Sequence, residues 1–293
     1  MKTALAVLIT LAGCASAATP ERSVVERRLG MMGTSLEIAV EAARREAALA
    51  ASERAVQALE AAEARLSTWR DDTELARLNR APVGAAQTLS PALAGDLGAA
   101  RRCGEETDGA FDPAVGALVS AWGLRGKGRV PAPAERREAV EAGRMDGLRL
   151  DGRTAVRERA GLVLDEGGFG QGAGLADALA VLAGDPEVVR ASLNLGGQLA
   201  VLDRGTGERW DVPVADPERR DRAVVSLSID RGSVSTSGNS ERGIEVAGRR
   251  LGHILDPRTG EPAPDFGSLT VWAEDPLRAD CLSTGLFVLG PER

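Results

Sequence analysis

The chain has 293 residues, 43% of them apolar, enough to fill a core for one large unit or two modest ones. Its formal net charge of -7 argues against nucleic acid, a partner whose phosphates must be neutralised. Tyrosine is absent, so any aromatic stacking must come from tryptophan or phenylalanine.

The first residues read MKTALAVLITLAGCASAATP. A lysine precedes an apolar run from Ala4 to Ala12, far short of the roughly 20 residues that span a bilayer. This is the pattern of an export signal. Two processing sites compete. Leu11-Ala12-Gly13-Cys14 resembles a bacterial lipobox, which would make Cys14 a lipidated first residue, whereas Ala15-Ser16-Ala17 is an ordinary small-x-small site. Either places the mature protein outside the cytoplasm. The remaining cysteines, Cys103 and Cys281, could pair in an oxidising compartment, but they are far apart in sequence and are expected as two small buried hydrophobes.

After a tether over residues 15–22, TSLEIAV (34–40) alternates as a half-buried strand does. Residues 42–66 lack Gly and Pro and predict a long helix, and 91–103 a second. Asp112-Pro113 offers a cap and a first-turn proline for a third helix continuing through AVGALVSAWGL. Residues 125–137 read as a surface connection. LVLD (162–165) predicts a strand running into a Gly-rich turn and a helix over 173–183, with Leu175, Leu179 and Leu182 on one face. Two short strands flank Gly196-Gly197, and a hairpin over 244–255 turns near Ala247-Gly248. A strand at 269–273 and a helix over 276–289 follow. The fold class is α+β (mixed α/β).

Four stretches carry the chemical signals. Gly168, Gly170 and Ala173 fit a loose G-x-G-x-x-A, but only one βαβ unit is visible, and Asp165 and Glu166 sit where a pyrophosphate would rest. A Rossmann fold is therefore not expected. Ala110-Phe111-Asp112-Pro113 could open a helix onto a phosphate, although Asp-Pro more often only caps. GHILDPRTG (252–260) holds His253, the one histidine, next to plain turn chemistry. In ADCLST, Asp280 and Thr284 are four apart on a predicted helix; a carboxylate and a hydroxyl facing the same way suit a hard cation.

Taken in chain order, these stretches resemble the bacterial FAD:protein FMN transferases, the ApbE flavin transferase family. The matching segments are MGT (32–34), STWRDDTELARLN (67–79), GAFDPAVGALVSAWG (109–123), LDEGGFGQG (164–172), NLGG (194–197), STSGNSER (235–242), GHILDPRTG and ADCLSTGLFVLGPE (279–292). The resemblance implies a catalytic domain over 23–293, as one unit or as two lobes with the FAD site between them. It also implies Mg²⁺-dependent cleavage of FAD: FMN is placed on a threonine hydroxyl of an acceptor flavoprotein subunit of a membrane electron-transfer complex, and AMP leaves. By the same resemblance Met32 and Trp69 pack on the flavin. Ala110, Phe111 and Asp112 line the FAD site, and Asp165, Gln171 and Ile254 contact FAD. Asp280 and Thr284, with a backbone oxygen near Gly168 and with Ser283, form the metal shell. His253 is the candidate general base and Asp280 its rival.

Family members commonly have Tyr at the place of Trp69, Lys at that of Gln171 and an acid at that of Gln198. Two other readings stay open: an FAD pyrophosphatase, and a non-catalytic FAD-binding lipoprotein that assists assembly of a redox enzyme. The expected location is the periplasmic side of a bacterial membrane, anchored through Cys14.

Overall fold

The computed structural model describes residues 22–239, 243–246 and 248–292. The export sequence, Cys14 and Ala247 lie outside these residues.

The chain opens with a hairpin of β1 (Ser23–Met31) and β2 (Thr34–Ala42), in which Met31 faces Thr34. Its two turn residues, Met32 and Gly33, have φ of 48° and 71°, the mirror-image turn that matches strand twist. A methionine at positive φ is costly, and Glu63 accepts the Met32 N–H at 3.3 Å. Helix α1 (Arg45–Leu66) starts three residues later than expected, because Ala42 is the buried last residue of β2. Next come α2 (Glu74–Arg80), β3 (Ala86–Thr88) and α3 (Pro91–Glu106). They are followed by α4 (Gly116–Ala121), α5 (Pro133–Ala142), β4 (Leu148–Asp151) and β5 (Thr154–Arg157).

The second half holds α6 (Gly170–Gly184), β6 (Val188–Leu195) and β7 (Gln198–Asp203). The hairpin of β8 (Trp210–Ala215) and β9 (Ala223–Ile229) leads to β10 (Arg231–Gly238). A short hairpin, β11 (Gly243–Val246) with β12 (Arg249–Gly252), precedes β13 (Ser268–Ala273) and α7 (Pro276–Leu289).

The main sheet runs β1-β2-β6-β7-β10-β13, and every neighbouring pair in it is antiparallel. A Rossmann fold needs parallel strands, so the sheet excludes one. Adjacent residues on β7 serve its two faces. Ala200 joins Leu59, Leu175 and Leu182 from α1 and α6, whereas Val201 packs with Val212 and Ile229 of the β8–β9 hairpin.

Three expectations change. Residues 162–165 form no strand: Val163 makes one isolated bridge to Val115, and Asn79 takes both the N–H and the carbonyl of Leu164 at 2.8 Å. With a side chain and a loop satisfying this backbone, no ladder is needed. Helix α4 begins at Gly116, so Asp112 is not its cap; its carboxylate accepts from Ala114 N at 2.8 Å and from Met145 N at 3.0 Å. The supposed connection over 125–137 contains the start of α5, with Pro133 in its first turn.

Cys103 and Cys281 are indeed buried, at 2% and 0% exposure, but they are joined in a disulfide with a Cα–Cα distance of 6.2 Å. Sequence separation left this pairing open, because α3 and α7 meet only in the fold. Around the bond lies a second core, including Leu97, Phe111, Leu164, Phe169 and Leu277.

Candidate active site

The first turn of α6 is the centre of the site. Gly172 there fits between chain segments: a Cβ on it would lie 2.5 Å from the Pro276 carbonyl oxygen and 2.7 Å from Asp280 Cβ. Only hydrogen lets α6 and α7 approach this closely. The approach lets Asp280 Oδ2 accept the Gly172 N–H at 2.9 Å. Burial pushes the Asp280 carboxyl up to about 7, and the Gly172 amide opposes the rise.

Gly168 is close-packed too, though less tightly. A Cβ there would stand 3.0 Å from the Phe111 ring and 3.4 Å from Thr284 Oγ1. Thr284 lies one helical turn beyond Asp280, so both side chains share the face of α7 that meets the Gly168–Gly172 segment, Thr284 at Gly168 and Asp280 at Gly172. On the other side of the turn, the Met32 side chain lies against Gly170 and Gly174. Gln171 reaches the Gly196 turn, where an added Cβ would be 3.0 Å from its Nε2.

An arginine holds the outer wall. Arg125 donates to Asp165 Oδ2 and to the Thr68 carbonyl, both at 2.6 Å, and also to Thr68 Oγ1. Its guanidinium lies 4.8 Å from the ring centre of Trp69, which is 70% exposed and free to meet a planar ligand. Asp165 Oδ1 accepts from Gly167 N at 2.9 Å. Glu166 accepts from the N–H and the hydroxyl of Thr68. Burial first, and then the charge of Asp165, raises the Glu166 pKa. Burial also raises that of Asp112, against its two amide bonds.

The expected residues fall into groups. Met32, Phe111, Asp165, Gly168, Gln171, Asp280 and Thr284 surround the α6 turn, and Arg125 ties Trp69 to Asp165. Ala110 and Ile254 share a small core with Phe287, beside that ring of residues. His253 follows β12 and is partly buried. Ser283 is fully buried, and its hydroxyl meets Ser235, Ser237 and the Asp280 carbonyl. Gln198 also turns inward, donating to Ser233 Oγ at 3.1 Å and to the Pro276 carbonyl at 2.8 Å, a pair of bonds an ionised acid could not give.

Sequence reasoning missed Arg125, hidden in what read as a connection, and Asn239, which carried no assigned role. Asn239 is buried against Gly252, and neither polar atom of its carboxamide has a hydrogen-bond partner among the described residues. Its one signal was its place inside a matched segment.

Among the described residues no group of three or more His, Cys, Asp or Glu side chains is placed to hold a metal ion. A cation here would be held by Asp280, Thr284 and main-chain oxygen, with water or ligand phosphates in its other positions, the mixed oxygen set that suits Mg²⁺. The donors present fit that ion.

An antiparallel sheet backed by helices, with Asp280 and Thr284 on one face of α7, defines the class as α+β. The chain belongs to the ApbE family, whose model matches residues 32–293. It is 33% identical to the FAD:protein FMN transferase of Klebsiella pneumoniae over 99% of this chain and 86% of that protein. The enzyme of the same name from Salmonella typhimurium is 32% identical, with the same coverage of both chains. The crystal structure of the ApbE protein of Thermotoga maritima superposes with a TM-score of 0.83 at 29% identity, covering 91% of this chain and 87% of that one. The Pseudomonas stutzeri flavinyl transferase ApbE in its apo form gives 0.81 at 27%, covering 92% and 86%.

Changing Gly172 to alanine is expected to lower the thermal midpoint, by an overpacking cost of about 1–3 kcal/mol. The cause is the clash with Pro276 and Asp280. Thermal unfolding beside a Gly184→Ala control, where an added Cβ meets nothing within 4 Å, checks it.

Proposed function

We infer that this chain, an ApbE-family FAD:protein FMN transferase, splits the pyrophosphate of FAD with Mg²⁺, joins FMN to a threonine hydroxyl of an acceptor flavoprotein and releases AMP. The observation that carries the reading is the placing of Asp280 and Thr284 on one face of α7 against the Gly168–Gly172 segment. When bound there, Mg²⁺ would neutralise the pyrophosphate oxygens. Asp280, Thr284 and the main chain at Gly168 would hold it. Met32 and Trp69 take the flavin, and Ala110, Phe111, Asp112 and Ile254 form the wall for the rest of FAD. Arg125 keeps the Trp69 loop on Asp165. His253 takes the proton of the acceptor threonine, since imidazole is the side chain that exchanges protons near neutrality. The acceptor belongs to a membrane electron-transfer complex outside the cytoplasm, where the export sequence would deliver this enzyme and Cys14 would anchor it.

The test is AMP release from FAD across pH, with Mg²⁺ or with EDTA. Binding of the cation requires ionised Asp280. Because that carboxyl is pushed up to about 7, apparent Mg²⁺ affinity is expected to climb as pH rises towards 7 and to level off above it. In the metal-free protein the sign is opposite. A raised carboxyl pKa makes folding less favourable as pH rises from the unfolded value of about 4 through about 7, so stability falls across that window. AMP release that ignores both EDTA and pH would contradict the assignment.

A further inference from the structure

We propose that Ser237 is a positioning residue that takes the hydroxyl hydrogen of Thr284 and so leaves the Thr284 lone pairs free for a cation. The inference rests on the Mg²⁺ reading above.

Ser235 and Ser237 are two apart on β10 and therefore share one face, which lies against α7. Four hydroxyls meet there, and each has one hydrogen and two lone pairs. Ser283 donates to the Asp280 carbonyl at 2.9 Å, within its own helix. Its hydrogen being used, Ser283 can only accept from its neighbours on β10: Ser237 Oγ at 2.8 Å and Ser235 Oγ at 3.2 Å. Those two contacts fill both of its lone pairs. Ser283 therefore supports the site from behind and has nothing left to offer a metal.

The direction of the remaining bond follows. Ser237 has given its hydrogen to Ser283, so toward Thr284 it can only accept, across 3.4 Å. The other possible recipient, the Asp280 carbonyl, is also 3.4 Å from Thr284 Oγ1, but its two lone pairs are claimed by the Ser283 hydrogen at 2.9 Å and by the helical N–H four residues on. The hydrogens thus run from Thr284 to Ser237, to Ser283 and on to the Asp280 carbonyl. A hydroxyl that ligates a cation must send its hydrogen elsewhere, and this relay gives it a fixed exit. The same relay ties the main chain of Asp280, whose carboxylate is the other protein ligand.

The experiment is titration of the full chain with Mn²⁺ alone, reading free Mn²⁺ by electron paramagnetic resonance. Ser237→Ala is expected to weaken binding by about 10–100-fold, the usual cost of losing an outer partner of a metal ligand. Ser237→Cys, of similar shape but a weak acceptor, should also weaken it, whereas Ser237→Thr should keep the wild-type affinity. Ser235→Ala removes a donor to Ser283 and no acceptor of Thr284, so its affinity should stay near wild type. Thermal unfolding confirms that each variant is folded; the cysteine variant stands in if the alanine variant is not. Wild-type affinity in Ser237→Ala or Ser237→Cys overturns the relay and leaves the Mg²⁺ reading intact. Weak binding in Ser237→Thr also overturns it, because shape and not the hydroxyl would then matter. If the wild type binds no more Mn²⁺ than Asp280→Ala, the metal reading fails and the relay with it.

Discussion

Replacing Asp280 with alanine is expected to cut AMP release from FAD by at least about 10³-fold, since Lewis-acid stabilisation is worth several kcal/mol and each 1.4 kcal/mol is tenfold in rate. Three observations make this the most damaging single change. The carboxylate is held by the Gly172 N–H at 2.9 Å, and burial raises its pKa to about 7. Thr284, one turn away, offers a hydroxyl and no charge. Among the described residues no other acidic cluster could replace it. Asp280→Asn separates charge from shape: its amide oxygen can still accept from Gly172, so the fold should survive while turnover is lost. FAD affinity should fall much less than rate, because Met32, Trp69 and the Phe111 wall are untouched. Steady-state AMP release beside fluorescence titration of FAD distinguishes these effects, and an Asp280→Ala enzyme with full activity would remove the metal assignment.

Breaking the Cys103–Cys281 bond is expected to cause the largest loss of stability. The bond closes 178 residues of chain, for which the chain-entropy model gives about 5 kcal/mol, at the top of the usual 2–5 kcal/mol range. Cys103→Ala combined with Cys281→Ala should lower the urea midpoint markedly, and reductant should bring the wild type down to a similar value. The bond also bears on the site. It joins α3, which leads into Thr107 and Phe111, to the α7 turn carrying Asp280 and Thr284. At Gly285 a Cβ would lie 2.7 Å from Thr107 and 2.9 Å from Phe111, so these segments have little room to shift. A midpoint insensitive to reductant, with two titratable thiols in the native protein, would contradict the cross-link.

Legibility in the sequence followed the range of the forces. Helix α7 was readable from Pro276 to Leu289 because Asp275 and Pro276 mark its start locally, and the Gly196-Gly197 turn marked β6 and β7. Strands β1, β3, β4, β5, β8, β9 and β10 were missed. The β9 sequence AVVSLSI leaves its first four residues exposed, so it shows no inward and outward alternation to detect. The LVLD segment shows the opposite failure: its alternation is real, with Leu162 and Leu164 buried, but Asn79 and Pro113 satisfy its backbone instead of a strand. At the site, Asp280 and Thr284 share a helix face and could be paired by spacing alone. Gly172, Arg125, Ser237 and the disulfide act between segments far apart in sequence, and no local pattern announces such contacts.

The most direct test of the central claim is the intact mass of a threonine-bearing acceptor domain from a respiratory flavoprotein, incubated with this protein and FAD in Mg²⁺ or EDTA. The account predicts a gain equal to one FMN that appears with Mg²⁺ and is absent with EDTA, together with AMP. AMP released with no mass gain on a competent acceptor would contradict transfer and favour hydrolysis of FAD. FAD bound with neither product would leave a flavin-binding protein and no transferase.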